Sequence, residues 1–278
     1  MECRNVKVSW PVDTEGSIAG RQLHGGFTFT EAQTSAMLGL SCLVLFFSVW
    51  EAVVALHWIS SLVLPRPTSV AMAAVELARK GELGQALLTT LTLLAASVVM
   101  ATLIGIPIGY LLYRNRLWGK AFEPILGAIF ASPLPLMYPI FLVIFGRTYG
   151  AILCLATIYA LIPIIMNTRE ALLSVRPTLI WVGRSFGAGE TTIFWKIVVP
   201  AAAPLMFSGV KLGVIYALLA VVAFEFLTDL GGLGRLLSEL NYKFKIPETF
   251  VVTLAAIVIS WLVLFIVSRF ERRIGKRR

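Results

Sequence analysis

Six long apolar runs leave this chain few ways to fold. They cover residues 37–63, 86–113, 125–145, 151–168, 201–224 and 250–267, and the only charges inside them are Glu51 and Lys211. A helix needs about 20 apolar residues to cross a bilayer core. The fourth and sixth runs have 18 residues each, and their flanks can extend them. The first is longer than a span requires and is expected to leave the bilayer near His57. Charged residues make up 14% of the chain and hydrophobic ones 58%, against about 25% charged in a soluble domain. That leaves too little polar surface for a water-soluble globule. The fold class expected is an all-α membrane protein with six transmembrane helices.

The net charge of +9 admits a nucleic acid or a membrane as partner, and its distribution decides. With the N-terminus inside, 16 of the 24 Lys and Arg fall on the inner side, seven fall outside, and Lys211 lies in a span. This excess fits the positive-inside rule with both termini cytoplasmic. The basic clusters flank spans, so the lipid bilayer is the expected partner and no nucleic acid is expected. Residues 1–35 are mixed and polar, without an early apolar core ending in small residues, and read as an uncleaved cytoplasmic tail. Residues 36–270 form the transmembrane domain, with its largest inner loop at 169–199. Residues 271–278 form a basic cytoplasmic tail.

The sequence offers no catalytic constellation. HExxH, GxSxG and GxxxxGK[ST] are absent, and the two histidines, His24 and His57, are too few for a histidine-rich metal site. Cys3, Cys42 and Cys154 share no metal-like spacing and read as small apolar packers. No catalytic residue, metal or bound cofactor is expected.

Glycine, proline and charge inside the runs carry more information. Gly105/Gly109 and Gly209/Gly213 are small-xxx-small pairs that permit close helix approach. Pro107, Pro133, Pro135, Pro139 and Pro163 each remove a helical hydrogen bond. Ordinary helix packing accounts for these residues; a bent wall around a cavity is the functional alternative. Lys211 lies 11 residues after Pro200, roughly 16 Å along a helix and near the bilayer middle. It reads either as a snorkelling or structurally paired charge, or as part of a translocation pathway with Glu225. The run 231–234, Gly-Gly-Leu-Gly, reads as a helix C-cap and turn. Glu51, beside Trp50, reads as an interfacial residue.

The loop 169–199 is too short for a core of its own, yet it is patterned. Arg176-Pro177 stops one helical stretch, residues 179–186 predict a short helix, and Gly187-Ala188-Gly189 ends it. Thr191 or Thr192 is expected to cap a second helix, with Glu190 near its positive end. There Ile193, Phe194, Ile197 and Val198 share one side, and Trp195 and Lys196 take the other. Pro200 is expected to start the fifth span. Such helices either lie on the membrane surface or dock an apolar ridge into a partner's groove.

This segment resembles the signature loop of ABC importer permeases, EAA-xxx-G-x9-I-x-L-P. Gly187, Ile197 and Pro200 fall at the family spacing, with Val199 in place of Leu. The EAA positions hold Trp181, Val182 and Gly183, while Glu170-Ala171 is out of register. Trp50-Glu51, residues 64–67, Gly146, Lys211, Glu225, Gly232–Gly234, residues 194–196 and the run 200–204 extend the likeness. They look like the nitrate/sulfonate/taurine branch. The resemblance implies a type I permease fold in the plasma membrane (the bacterial inner membrane). It also implies a second permease copy as a homodimer, cytoplasmic ATPase subunits that bind ATP and Mg, and an extracytoplasmic substrate-binding protein. Trp181, Gly183, Gly187, Ala188, Gly189, Ile193, Phe194, Ile197 and Pro200 would then form the ATPase-coupling loop.

The implied solute is a small anion of the nitrate, sulfonate, taurine or bicarbonate type, and Lys211 suits an anion by its charge. A pyrimidine-type vitamin precursor is the alternative solute. The competing class is a secondary transporter driven by an ion gradient, against which stands the lack of an internal repeat.

Overall fold

The computed structural model describes residues 31–56, 58–60 and 63–275, and all regular structure among them is helical. The tail expected over residues 1–35 lies, up to residue 30, outside the described residues, as does His57. The chain up to Phe47 and the chain from Ser48 are separate compact units. Helix α1 (Glu31–Ala55) ends where the first apolar run was expected to leave the bilayer. Everything after α1 belongs to the second unit.

Prolines and glycines set the boundaries. Arg66 is extended before Pro67, which opens α2 (Pro67–Lys80). Gly81, at φ 73°, closes α2 in the left-handed conformation and precedes α3 (Glu82–Arg114). Asn115 accepts from the Leu117 and Trp118 amides and caps α4 (Arg116–Ala131). Next come α5 (Leu134–Phe145) and α6 (Tyr149–Leu173), then α7 (Pro177–Ser185) and α8 (Glu190–Ile193). A π-helical turn (Phe194–Val198) leads into α9 (Val199–Thr228), followed by α10 (Gly232–Tyr242) and α11 (Ile246–Gly275).

Among the described residues, four stretches are long and apolar enough to cross a membrane: Glu82–Arg114, Tyr149–Leu173, Glu190–Thr228 and Ile246–Glu271. The third expected span, 125–145, departs from expectation. It is two helices, α4 and α5, separated at Ser132-Pro133. Pro133 forces Ser132 into an extended conformation (φ −66°, ψ 134°), so the helix cannot run through. The fifth run begins earlier than expected, because its helix is continuous with the loop before it.

Helix α6 is the axis of the second unit. Ile152, Leu155, Ala156, Ala160, Ile164 and Ile165 are buried along it. It packs on α3 and α9 through the two glycine pairs. A Cβ added at Gly109 would lie 2.7 Å from Thr168 Cβ, and one at Gly105 would lie 2.8 Å from Ile164 Cγ2. On the α9 side, a Cβ at Gly209 would lie 2.5 Å from Asn167 Cβ, and one at Gly213 would lie 3.0 Å from the Ala160 carbonyl oxygen. Both small-xxx-small pairs therefore serve helix contact. A second core joins α2, α10 and the starts of α3 and α11 through Leu77, Leu233, Leu236, Leu240 and Val252.

Gly213 and Gly84 make a matched test of this packing, since nothing lies within 4 Å of a Cβ added at Gly84. Gly213→Val is expected to cost about 1–3 kcal/mol through overpacking. Gly84→Ala, inside α3, is expected to be neutral or to stabilise by up to about 1 kcal/mol. Thermal unfolding of the detergent-purified variants reads both.

Candidate functional site

The loop between α6 and α9 is a short helical hairpin built on three local rules. Arg176 is extended (φ −59°, ψ 126°) because Pro177 follows it, and Pro177 starts α7. The α7 helix ends in a Schellman motif: the Gly187 amide bonds the Arg184 carbonyl at 2.9 Å, and the Ala188 amide bonds the Gly183 carbonyl at 3.2 Å. Gly187 occupies the left-handed position at φ 71°, which explains glycine there. Gly189 then caps α8 by its backbone alone, in place of the Thr191 or Thr192 cap expected from sequence. The chain enters α8 two or three residues earlier than those threonines require. Glu190 sits in the first turn, where an acid is favoured, and pairs with Arg184 at 2.8 Å.

The second half of the hairpin does not stop at Pro200. Pro200 has no N–H for the Lys196 carbonyl, and its ring would clash with that carbonyl in an ordinary α-helix. The helix responds by widening: the Val199 amide bonds Phe194 O, five residues back. Expected as the start of a new span, Pro200 instead lies inside one helix that runs from Glu190 to Thr228.

The apolar ridge faces inward. Ile193 and Val198 are buried against Ala171, Leu172 and Ala202, with Phe194 and Ile197 packed on the same cluster. Gly183 makes this possible, because a Cβ there would lie 2.7 Å from Ile197 Cδ1 and 3.1 Å from Ile193 Cγ1. The surface of the hairpin carries other apolar groups: Trp181 is 62% exposed, Val182 53%, Phe186 86% and Trp195 64%. Gly187, Gly189 and Pro200 are exposed as well, and Ala188 is half-buried.

Lys211 and Glu225 are not brought together. They stand 14 residues apart on α9, about 21 Å along the helix. Lys211 Nζ lies 3.1 Å from Glu271 Oε2, and Ser208 Oγ donates to Glu271 Oε1 at 3.0 Å. Glu271 sits in the last turns of α11, close to Arg269 and Arg272. Lys211 is therefore a structurally paired charge, held by the last turns of α11.

Glu225 is fully buried. It accepts from Thr90 Oγ1 at 2.8 Å and from the Gly234 amide at 3.1 Å, while Thr90 Oγ1 accepts from the Leu233 amide at 2.9 Å. Two orphan amides at the start of α10 are thus satisfied by a pair of side chains from α9 and α3. A Cβ at Gly232 (φ 80°) would strike the Glu225 carboxylate, and one at Gly234 would lie 2.6 Å from the Phe226 amide nitrogen. The glycine run therefore opens α10. It does not cap α9, whose end is held by Asp229 at φ 55°. The Arg147 guanidinium donates to the Thr228 carbonyl and pairs with Asp229 at 3.3 Å, and Tyr149 OH donates to the Leu230 carbonyl at 2.6 Å. Glu51 bonds Thr68 through the amide and the hydroxyl. Among the described residues no group of three or more His, Cys, Asp or Glu is placed to hold a metal.

A six-run apolar chain with this hairpin and a long helix rising from it matches a known sequence family over residues 101–278: the binding-protein-dependent transport system inner membrane components. The chain belongs to that family. It is an ABC importer permease subunit, multi-pass in the inner membrane. It is 27% identical over 248 residues to the taurine transport system permease protein TauC of Escherichia coli, covering 86% of this chain and 88% of TauC. It is 29% identical over 232 residues to the riboflavin transport system permease protein RibX of Chloroflexus aurantiacus, covering 84% and 86%. Its fold is similar to that of the MetNI methionine ABC transporter in an inward-facing crystal form. There the TM-score is 0.61 at 23% identity, over 71% of this chain and 98% of the other.

Three partners in this permease carried no signal in the sequence. Thr90 is one of several threonines in an uncharged run, and only the fold brings it to Glu225. Glu271 reads as part of a basic tail until α11 places it beside Lys211. Arg147 reads only as a charge in a short connection.

Glu225→Ala leaves Thr90 and the Gly234 amide without their acceptor, and is expected to cost about 1–3 kcal/mol for each group left unpaired. Unfolding midpoints should fall accordingly, with a smaller fall for Glu225→Gln. For the half-exposed pair Lys211–Glu271, a double-mutant cycle with alanine is expected to give a coupling of about 0.5–1 kcal/mol. The charge-exchanged double variant should recover stability that either single reversal loses.

Proposed function

We propose that this subunit forms, with a second copy, the pathway of an ATP-driven importer, and that the segment 181–200 receives the motion of a cytoplasmic ATPase. Both termini lie in the cytoplasm, as the Lys/Arg distribution indicates. Partner ATPase subunits bind and hydrolyse ATP with Mg, and a substrate-binding protein delivers solute on the other side. This chain supplies the pathway and performs no catalysis.

One observation carries the coupling reading. The hairpin is fastened on its inner side by Gly183, Ile193, Ile197 and Val198, yet it leaves Trp181, Val182 and Phe186 exposed. It is also one piece with α9, since the helix runs unbroken from Glu190 to Thr228. A push on the exposed face therefore moves a transmembrane helix directly. Clustered exposed aromatic side chains are what protein interfaces use as anchors.

The solute is a small anion, with the sulfonate and taurine type favoured by the likeness to a taurine permease. A pyrimidine-type vitamin precursor is the second reading, favoured by the likeness to a formylaminopyrimidine permease. Lys211 contributes less to solute recognition than its charge suggests, because Glu271 already neutralises it.

Phe186→Glu and Trp181→Glu are expected to weaken co-purification of the ATPase about tenfold or more while leaving the unfolding midpoint unchanged, since both side chains are exposed. Ile197→Asp is expected to unfold the hairpin itself and lower the midpoint. Full retention of the ATPase by the Phe186 and Trp181 variants would refute the coupling reading.

A further inference from the structure

The largest of the described cavities borders the hairpin. A groove of about 700 Å³ runs between the end of α3 and the stretch from α8 into α9. Its walls are mostly apolar and include Tyr110, Tyr113, Phe194 and Trp195. The Tyr110 and Phe194 rings stand 4.9 Å apart and form one continuous aromatic wall. Concave, mainly apolar spaces of about 300–1,000 Å³ with a few polar groups are the usual form of small-molecule sites.

Two polar residues in the lining are unspent. Arg114, exposed at the last turn of α3, has no carboxylate partner among the described residues. The acid nearest in the lining, Glu190, is already paired with Arg184. Thr168 is fully buried, and its hydroxyl has no hydrogen-bond partner. Thr102, Thr157 and Thr228, also inside helices, each donate to the carbonyl four residues back. The Thr168 hydroxyl is closed off from the groove, so Arg114 is the group an anion meets at this end. An unpaired guanidinium at the rim of an aromatic groove matches one chemistry: an anionic group joined to an apolar body.

We infer that this groove is a ligand site for a small organic anion with a flat, apolar body. Its anionic group meets Arg114, and its body lies against Tyr110, Phe194 and Trp195. A bare nitrate or bicarbonate ion would leave most of the groove empty and gain nothing from its aromatic walls. The inference rests on the permease reading and narrows the solute within it. Because Phe194 and Trp195 belong to the hairpin proposed to meet the ATPase, an occupied groove also changes the packing under that hairpin.

The test uses the full chain in lipid nanodiscs and the emission of Trp195. Benzenesulfonate is expected to quench saturably, and Trp195→Phe to abolish the saturable component. Arg114→Gln should raise the apparent Kd about tenfold or more, the loss of one charge-assisted contact, and Arg114→Lys should restore most of the affinity. Benzamide, neutral and of similar size, should bind equally weakly to the native chain and to Arg114→Gln. Saturable quenching by nitrate at the same concentrations would overturn the inference, as would an unchanged benzenesulfonate curve in Arg114→Gln or no saturable quenching at all. ATPase co-purification from the same cells separates the two readings. If the ATPase is retained and benzenesulfonate does not bind, only the groove assignment falls; if the ATPase is lost from the native chain, the coupling reading falls whatever the groove binds.

Discussion

Helices α3 and α9 approach α6 at distances that only glycine allows, and the rest of the second unit is arranged around that contact. Lipid offers no hydrophobic drive for helices to associate, so close van der Waals contact must hold them. Gly105 and Gly109 on one side, and Gly209 and Gly213 on the other, bring two backbones against Ile164, Ile165, Asn167 and Thr168. With α3 and α9 fixed on the same helix, Thr90 and Glu225 meet. Their meeting gives α10 its first-turn acceptors. The hairpin depends on the same contact from the other end, because its inner face rests on Ala171 and Leu172 at the end of α6.

Much of this was legible in the sequence, and the limits were physical. Apolar length and the scarcity of charge marked α3, α6, α9 and α11, because a span has to hide its own backbone. The glycine pairs announced close packing, since their spacing repeats on one helix face. Gly187, Ile197 and Pro200 marked the hairpin by spacing. The helical period also puts Ile193, Phe194, Ile197 and Val198 on one side, but a period does not fix which way that side turns. The inner partners Gly183 and Leu172 are set by the fold. The break at Ser132-Pro133 was visible as a cluster of prolines, but proline alone does not distinguish a kink from a full interruption.

The charged residues show the same limit more sharply. Lys211 and Glu225 stood out because charge in an apolar run is costly. That cost draws partners, and both partners, Glu271 and Thr90, lie more than 50 residues away in the chain. A lone charge in sequence thus identified a place of strain in the energetics without naming what relieves it. In both cases the answer was a helix end: the end of α11 for Lys211, and the start of α10 for Glu225.

The π-helical turn at Phe194–Val198 amounts to one surplus residue in an otherwise regular helix. Each residue turns an α-helix by about 100°. Were that turn to tighten to α geometry, everything ahead of it would swing about the α9 axis by roughly that angle with little change in length. The hairpin is then joined to its transmembrane helix by a rotational indexing point. A stiff rod transmits only thrust, whereas this joint also sets the compass direction in which Trp181 and Phe186 face.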